Sequence, residues 1–164
     1  MASQQQTQKF IDDVRLICLE DSRYPVESYL FVREGLDHTL KMMKRNGHGA
    51  SGHVSGQELL NGIRDYSLKE FGPMTKSVLN EWGIKACEDF GQIVFNLVNN
   101  GVLGKTQSDS IEDFKKGFNF DEAFVKPFQP QKPPIRSSSR SNSKKVSSTK
   151  PRVKSSSKSK TGSP

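Results

Sequence analysis

The stretch Ile84–Thr106, IKACEDFGQIVFNLVNNGVLGKT, contains the densest apolar segment of the chain. Apolar residues recur in it at the three- and four-residue spacing of a helix with one buried face, and polar residues occupy the opposite face. The pair Asn100-Gly101 can supply the left-handed residue that closes a helix. We therefore predict a helix that ends at these residues and passes directly into a short strand-like run.

The segment after this helix predicts a small β-hairpin. Val102–Thr106 is the first strand-like run, residues 107–110 form a polar turn, and Gly117–Phe120 alternates with the period of two that a half-buried strand has. A helix that passes into a hairpin resembles the third helix and wing of winged-helix domains, a likeness of architecture and not of function. Two alternatives stay open: a plain core helix in a small helical domain, and a helical turn over residues 110–116.

The chain before the central stretch is predicted to be helical over about residues 6–20, 25–44, 55–71 and 73–82. Ser55 and Glu58 have the spacing of a capping box, which marks a helix start. Gly35 inside the second helix costs up to about 1 kcal/mol unless another helix packs closely against it. Trp82 is expected to anchor the core, and Asp121 to cap a final turn. The expected fold is mainly α: a compact five-helix domain over residues 1–128 with a C-terminal hairpin.

Charge is strongly segregated along the chain. Residues 129–164 hold ten of the 25 lysines and arginines and none of the 18 acids, so residues 1–128 carry a net charge of −3. The tail has few apolar side chains, and such a composition predicts disorder. Its charges attract phosphate backbones without reading sequence, unless the tail is only a solubilising appendage. The candidate nucleic-acid-binding residues are Arg136, Arg140, Lys144, Lys145, Lys150, Arg152, Lys154, Lys158 and Lys160.

The sequence argues against a membrane-spanning or secreted protein. No apolar run approaches the roughly 20 residues that cross a bilayer, and the N-terminus lacks the apolar region of a secretory signal. Cys18 and Cys87 are isolated from each other and lack a metal-ligand spacing, so they are expected to be reduced core residues. We therefore predict a cytoplasmic protein, associated with the nucleoid if the tail binds nucleic acid, with no membrane contact.

No cofactor, metal or catalytic motif emerges from the sequence. Residues 47–52 match G-x-G-x-x-G in letters, but a helix precedes them where the dinucleotide fingerprint requires a strand. The adjacent acid pairs along the chain point in different directions on a helix and are typical of solvated faces. The polar set His53, Gln57 and Arg64 near the third helix is the candidate polar surface; helix capping and ordinary surface are the alternative.

Several short segments resemble a small bacterial family found mainly in planctomycetes and verrucomicrobia. The resemblance covers about residues 8–128 and implies a conserved domain of unknown function, with no catalytic or binding residue to transfer. The segments that carry it are Arg23-Tyr24-Pro25, residues 29–34 (YLFVRE), 53–60 (HVSGQELL), 71–74 (FGPM), 88–91 (EDFG), 93–97 (IVFNL) and 103–106 (LGKT).

Two functional hypotheses follow. The first is a non-catalytic binding or regulatory module that engages a protein partner, with the tail adding nonspecific nucleic-acid affinity. Direct DNA reading by the domain is disfavoured by its net negative charge and by Glu88-Asp89 on the candidate recognition helix. The alternative is a small enzyme or enzyme subunit with a polar site near His53 and Arg64. A cleft that gathers these residues with a carboxylate would favour the enzyme.

Overall fold

The computed structural model describes residues 2–47 and 52–132, and this part of the chain is mainly α-helical, with no β-strand. These residues also include two 3₁₀ turns, Gly72–Met74 and Lys126–Phe128. The contacts between residues divide the chain into units 1–130 and 131–164, and every helix described belongs to the first. The helices are α1 (Ala2–Glu20), α2 (Val26–Arg45), α3 (Gly56–Phe71), α4 (Thr75–Glu81), α5 (Cys87–Asn99), α6 (Glu112–Lys115) and α7 (Phe120–Phe124).

The helices α2 and α3 pack closely because each has a glycine at the contact. A Cβ added at Gly35 would lie 2.9 Å from Cγ1 of Ile63, so another helix does pack closely against Gly35, the condition under which the glycine is favourable. A Cβ added at Gly62 would lie 1.8 Å from Oγ1 of Thr39. The Thr39 hydroxyl is buried and donates to the Gly35 carbonyl oxygen at 2.7 Å. The two glycines therefore set how closely the helices approach.

The start of α3 is the local feature that the sequence predicted best. The Ser55 Oγ accepts from the Glu58 amide at 3.3 Å, and the Ser55 amide donates to Glu58 Oε2 at 2.9 Å. This reciprocal pair confirms the predicted capping box, which satisfies amides that the first helical turn leaves without a partner. It fixes where α3 begins, and so where the preceding His53 lies.

The central helix α5 contacts α1, α2, α3 and α6. Ile93 and Leu97 are fully buried, and burial of such a side chain stabilises a fold by roughly 1.5–3 kcal/mol. The partly buried Trp82 also packs against the core, with its ring centroid 5.4 Å from that of Phe31, which confirms its role as a core residue.

The predicted β-hairpin is wrong, and with it the wing of a winged-helix domain. Gly101 adopts a φ of 71° and closes α5, as expected. The amides of Val102 and Leu103 then both donate to the Leu97 carbonyl oxygen, at 2.9 and 3.3 Å. Because these amides close the helix, the run that begins at Val102 does not pair as a strand. The second expected strand, Gly117–Phe120, is not a strand either, because residues 117–119 connect α6 to α7 and Phe120 begins α7.

A helical turn takes the place of the hairpin. Ser110 precedes this turn, α6, and the Ser110 amide donates to Oδ2 of Asp113, inside α6, at 3.3 Å. Phe114 on α6 is buried against α5, where a Cβ added at Gly91 would lie 2.8 Å from its Cβ. The alternative interpretation of residues 110–116 as a helical turn is therefore confirmed.

The final turn is present as α7, but its cap differs from the prediction. The Asn119 Oδ1 accepts from the amides of Asp121 and Glu122, at 2.9 and 3.3 Å. Asn119 is therefore the cap, and Asp121 lies inside the helix, where it pairs with Lys76 of α4. This pairing joins the C-terminal helix to the rest of the domain.

Candidate functional site

A pocket of about 410 Å³ opens beside the C-terminal half of α5; we call it the α5 pocket. Four helices contribute to its floor, which is mostly apolar. The floor residues are Leu36 and Leu40 of α2, Val54 and Leu59 at the start of α3, Val94, Phe95 and Val98 of α5, Leu103, and Phe114 of α6. A concave, largely apolar hollow with a few polar groups at its edge is the usual form of a ligand site.

The polar edge of the α5 pocket, which we call the rim, comes mainly from the loop between α5 and α6. Its residues are His53, Lys105, Thr106, Asp109, Ser110 and Asp113. The loop is folded on itself, because the Thr106 amide donates to Asp109 Oδ2 at 2.8 Å. The Asp109 Oδ1 lies 3.2 Å from His53 Nε2, which joins the loop to the start of α3.

The surroundings of Asp109 stabilise its charged form. Burial acts to raise the pKa of this carboxyl, but hydrogen bonds from Thr106 and the neighbouring His53 outweigh it. The pKa of Asp109 is therefore below its ordinary value, and the carboxylate is already paired within the protein.

The arrangement around His53 does not form a nucleophilic triad. The Thr106 hydroxyl lies 3.5 Å from His53 Nε2, and Asp109 Oδ1 lies 3.2 Å from the same nitrogen. A triad histidine takes a proton from the hydroxyl with one ring nitrogen while the carboxylate holds the other. With both contacts on Nε2, Asp109 cannot orient His53 toward Thr106 in that way. The contacts are those of a group that joins two loops.

Only one residue of the predicted polar set lines the α5 pocket. His53 is at the rim, whereas the Gln57 amide group donates to the carbonyl oxygens of Asp113 and Lys116 and so holds α6. The Arg64 guanidinium lies 5.7 Å from the centroid of the Phe118 ring. The structure therefore does not gather His53, Gln57 and Arg64 around one cleft.

A second hollow of about 390 Å³ lies along α2 and α3 and is mostly polar. His38 Nε2 lies 2.7 Å from Asp65 Oδ2, and the Tyr66 hydroxyl donates to Glu34 Oε2 at 2.7 Å. Because these side chains already hydrogen-bond to each other, the second hollow has fewer polar groups free to bind a ligand than its list of lining residues suggests.

A polar network fixes α5 against the turn between α1 and α2. The Asn96 Nδ2 donates to Asp21 Oδ2 and to the Tyr29 hydroxyl, both at 3.0 Å. Arg23 forms a fork with Asp21, with its shortest contact at 2.6 Å. The hydrogen bond from Arg23 is the main cause that holds the pKa of Asp21 well below its ordinary value. These bonds position the helix whose other face forms the pocket floor.

Sequence reasoning missed Lys105, Thr106, Asp109 and the floor of the α5 pocket. One signal was present: Thr106 and Asp109 have the Thr-x-x-Asp spacing of a local cap, as do Ser110 and Asp113. The nine candidate residues of the tail, from Arg136 to Lys160, lie outside the described residues, as does most of the glycine-rich loop. Among the described residues, no three His, Cys, Asp or Glu side chains could share a metal ion.

Comparison with known proteins gives no relative. No family model, no curated protein and no solved structure matches the chain. Within the described part of the chain, no helix is both long enough and apolar enough to span a bilayer. The resemblance to the planctomycete and verrucomicrobial family therefore stays a prediction.

Proposed function

We propose that this chain is a non-catalytic binding and regulatory module. Its helical domain holds an apolar group of a ligand in the α5 pocket, and its basic tail contributes nonspecific affinity for nucleic acid. The single observation that carries the proposal is the pocket itself: about 410 Å³ of space, an apolar floor from four helices, and a rim of polar side chains.

The position of the pocket supports a regulatory role. Its floor includes Val94 and Val98 of α5, and its rim is the loop that follows this helix. Asn96, between them on the same helix, bonds to Asp21 and Tyr29 near the α1–α2 turn. A ligand in the pocket would therefore contact the helix that four other helices pack against. Binding would stabilise the folded domain in proportion to ligand concentration.

Two observations favour binding over catalysis. The groups around His53 share one ring nitrogen, and Arg64 is not in the pocket lining. The pKa of Cys87 is raised to about 11 by burial, opposed by a hydrogen bond to the Phe118 carbonyl oxygen, so this thiol is a poor nucleophile. We therefore assign no catalytic step to any of the described groups that line the α5 pocket.

The pocket is tested with the neutral fluorophore N-phenylnaphthylamine, whose emission rises in apolar surroundings. We expect saturable binding to the full chain, and Val98→Phe should weaken it at least about ten-fold because the larger ring fills the floor. The matched control is Val102→Phe, which adds the same ring four residues further on, outside the pocket lining. Absence of saturable binding, or equal binding by Val98→Phe, would contradict a ligand pocket.

The tail is tested in the full-length chain by replacing all ten of its lysines and arginines, the nine candidates and Lys132, with glutamine. The original chain should bind duplex DNA with an affinity that falls steeply with salt, because each phosphate contact releases counterions. The glutamine variant should lose this binding. A variant with nine tail serines replaced by glutamine is the control, since it keeps the charge. Undiminished binding by the cation-free variant would place the nucleic-acid contact in the domain.

A protein partner stays part of the proposal. Leu16 and Leu19 of α1 are 63% and 83% exposed, three residues apart on the helix. Apolar side chains at such spacing are compatible with contact to another protein, and a nucleoid or cytoplasmic location would follow from the partner and the tail together.

A further inference from the structure

The α5 pocket has one cation at its mouth that the rim carboxylates do not pair with. The ammonium of Lys105 lies 5.2 Å from the centroid of the Phe95 ring, and Phe95 is itself part of the pocket floor. Within residues 2–47 and 52–132, Lys105 takes part in no ion pair. A positive charge therefore stands directly beside apolar surface at the opening.

The two carboxylates of the rim are already occupied. Asp109 accepts from the Thr106 amide at 2.8 Å and lies 3.2 Å from His53 Nε2. Asp113 accepts from the Ser110 amide at 3.3 Å. Both acids are bonded to groups of the protein, and among the described residues neither forms an ion pair with Lys105.

We propose that the α5 pocket binds a small apolar monocarboxylate, with its hydrocarbon part on the floor and its carboxylate beside Lys105. This inference rests on the proposed function and adds the ligand's chemical class. An apolar body matches the floor, and a single negative charge matches the rim lysine, which forms no ion pair among the described residues. A cationic or strongly polar ligand would leave either the floor or Lys105 without a complementary group.

The test is calorimetric titration of the full chain with octanoate and, separately, with octanol. Both share a hydrocarbon chain, but only octanoate carries charge at neutral pH. Octanoate should bind about five-fold more tightly, since an exposed charge pair contributes up to about 1 kcal/mol. Added salt should weaken octanoate binding and leave octanol binding nearly unchanged.

The matched variants are Lys105→Met and Lys85→Met. Both remove an exposed lysine charge and keep a long side chain, but Lys85 is not in the pocket lining. Lys105→Met should abolish the preference for octanoate over octanol, and Lys85→Met should retain it. Equal affinities in the original chain, or a preference that survives Lys105→Met, would overturn the inference while leaving the pocket intact.

Binding of the neutral fluorophore distinguishes failure of this inference from failure of the proposed function. If N-phenylnaphthylamine binds but octanoate does not, the inference about the carboxylate is overturned and the proposed function stands. If neither binds, the proposed function fails as well, and with it the inference that depends on it.

Discussion

The contact between α2 and α3 makes a sharp prediction about Gly62. A Cβ at this position would lie 2.6 Å from Cβ of Thr39 and 1.8 Å from its Oγ1. The hydroxyl can rotate away, but the Thr39 Cβ is fixed to the backbone of α2. The Gly62→Ala variant must therefore separate the two helices by several tenths of an ångström, or break the bond from Thr39 to the Gly35 carbonyl.

The expected cost follows from three contributions. Overpacking of a close contact costs roughly 1–3 kcal/mol, and loss of the buried hydrogen bond about 1 kcal/mol. The higher helix propensity of alanine stabilises the variant by about 1 kcal/mol. The net expectation is a loss of about 1–3 kcal/mol in the free energy of unfolding, measured by urea denaturation followed by circular dichroism.

A double-mutant cycle with Thr39→Gly tests the stated cause. Thr39→Gly removes the atoms that clash, so it should cost less in the Gly62→Ala background than alone. Gly104→Ala is the control, because a Cβ there meets no atom within 4 Å. If Gly62→Ala is as stable as the original chain or more stable, the account of close helix packing is refuted.

Three further predictions concern the core and the turn. The pKa of Asp21 is lowered in the folded chain, so its stabilising effect is present above its unfolded pKa of about 4 and is lost as pH falls below that value. Urea midpoints measured from pH 7 down to pH 3 should therefore fall less for Asp21→Asn than for the original chain. Parallel curves for the two chains would contradict this. Burial raises the pKa of Cys18 and Cys87, so Ellman's reagent at pH 7 should react slowly with the folded chain and quickly with both thiols once urea unfolds it. Rapid reaction of Cys87 in the folded chain would contradict its burial. Asn119→Ala should lower the unfolding free energy by about 1 kcal/mol, because it removes the cap of α7, whereas Asp121→Ala keeps the cap and should not shorten the helix. Amide exchange of residues 121–124 measures this, and faster exchange in Asp121→Ala than in Asn119→Ala would show that Asp121 is the cap.

The features predicted correctly are those that neighbouring residues determine. The Ser55–Glu58 cap and the closure of α5 at Gly101 each depend on residues a few positions apart, whose spacing is visible in the chain. Gly35 left two possibilities open, a destabilised helix or a close neighbour, and only the structure identifies that neighbour as Ile63.

The hairpin failed because the same residues suit two structures. Val102 and Leu103 have strand-like side chains, yet their amides donate to the Leu97 carbonyl and complete the helix end. The cap-like spacing of Ser110 and Asp113 favoured a helical turn there, and Phe114 confirms it by packing against α5. Backbone hydrogen bonds at a helix end took precedence over side-chain alternation.

The α5 pocket could not be predicted because its residues are far apart in the chain. Leu36 and Phe114 both line it, and only the packing of α2, α3, α5 and α6 brings them together. The sequence placed His53 in a polar set with Gln57 and Arg64, but tertiary contacts direct each of these side chains to a different neighbour.

The most direct test of ligand binding in the α5 pocket is nuclear magnetic resonance of the isotopically labelled full chain during titration with octanoate. We predict saturable shifts of the backbone amides of Lys105, Thr106 and Asp109 at the rim, with none at Tyr66 and Lys69 of the second hollow. Shifts centred on the second hollow, or no saturable shift at the rim with either octanoate or N-phenylnaphthylamine, would contradict a ligand site beside α5.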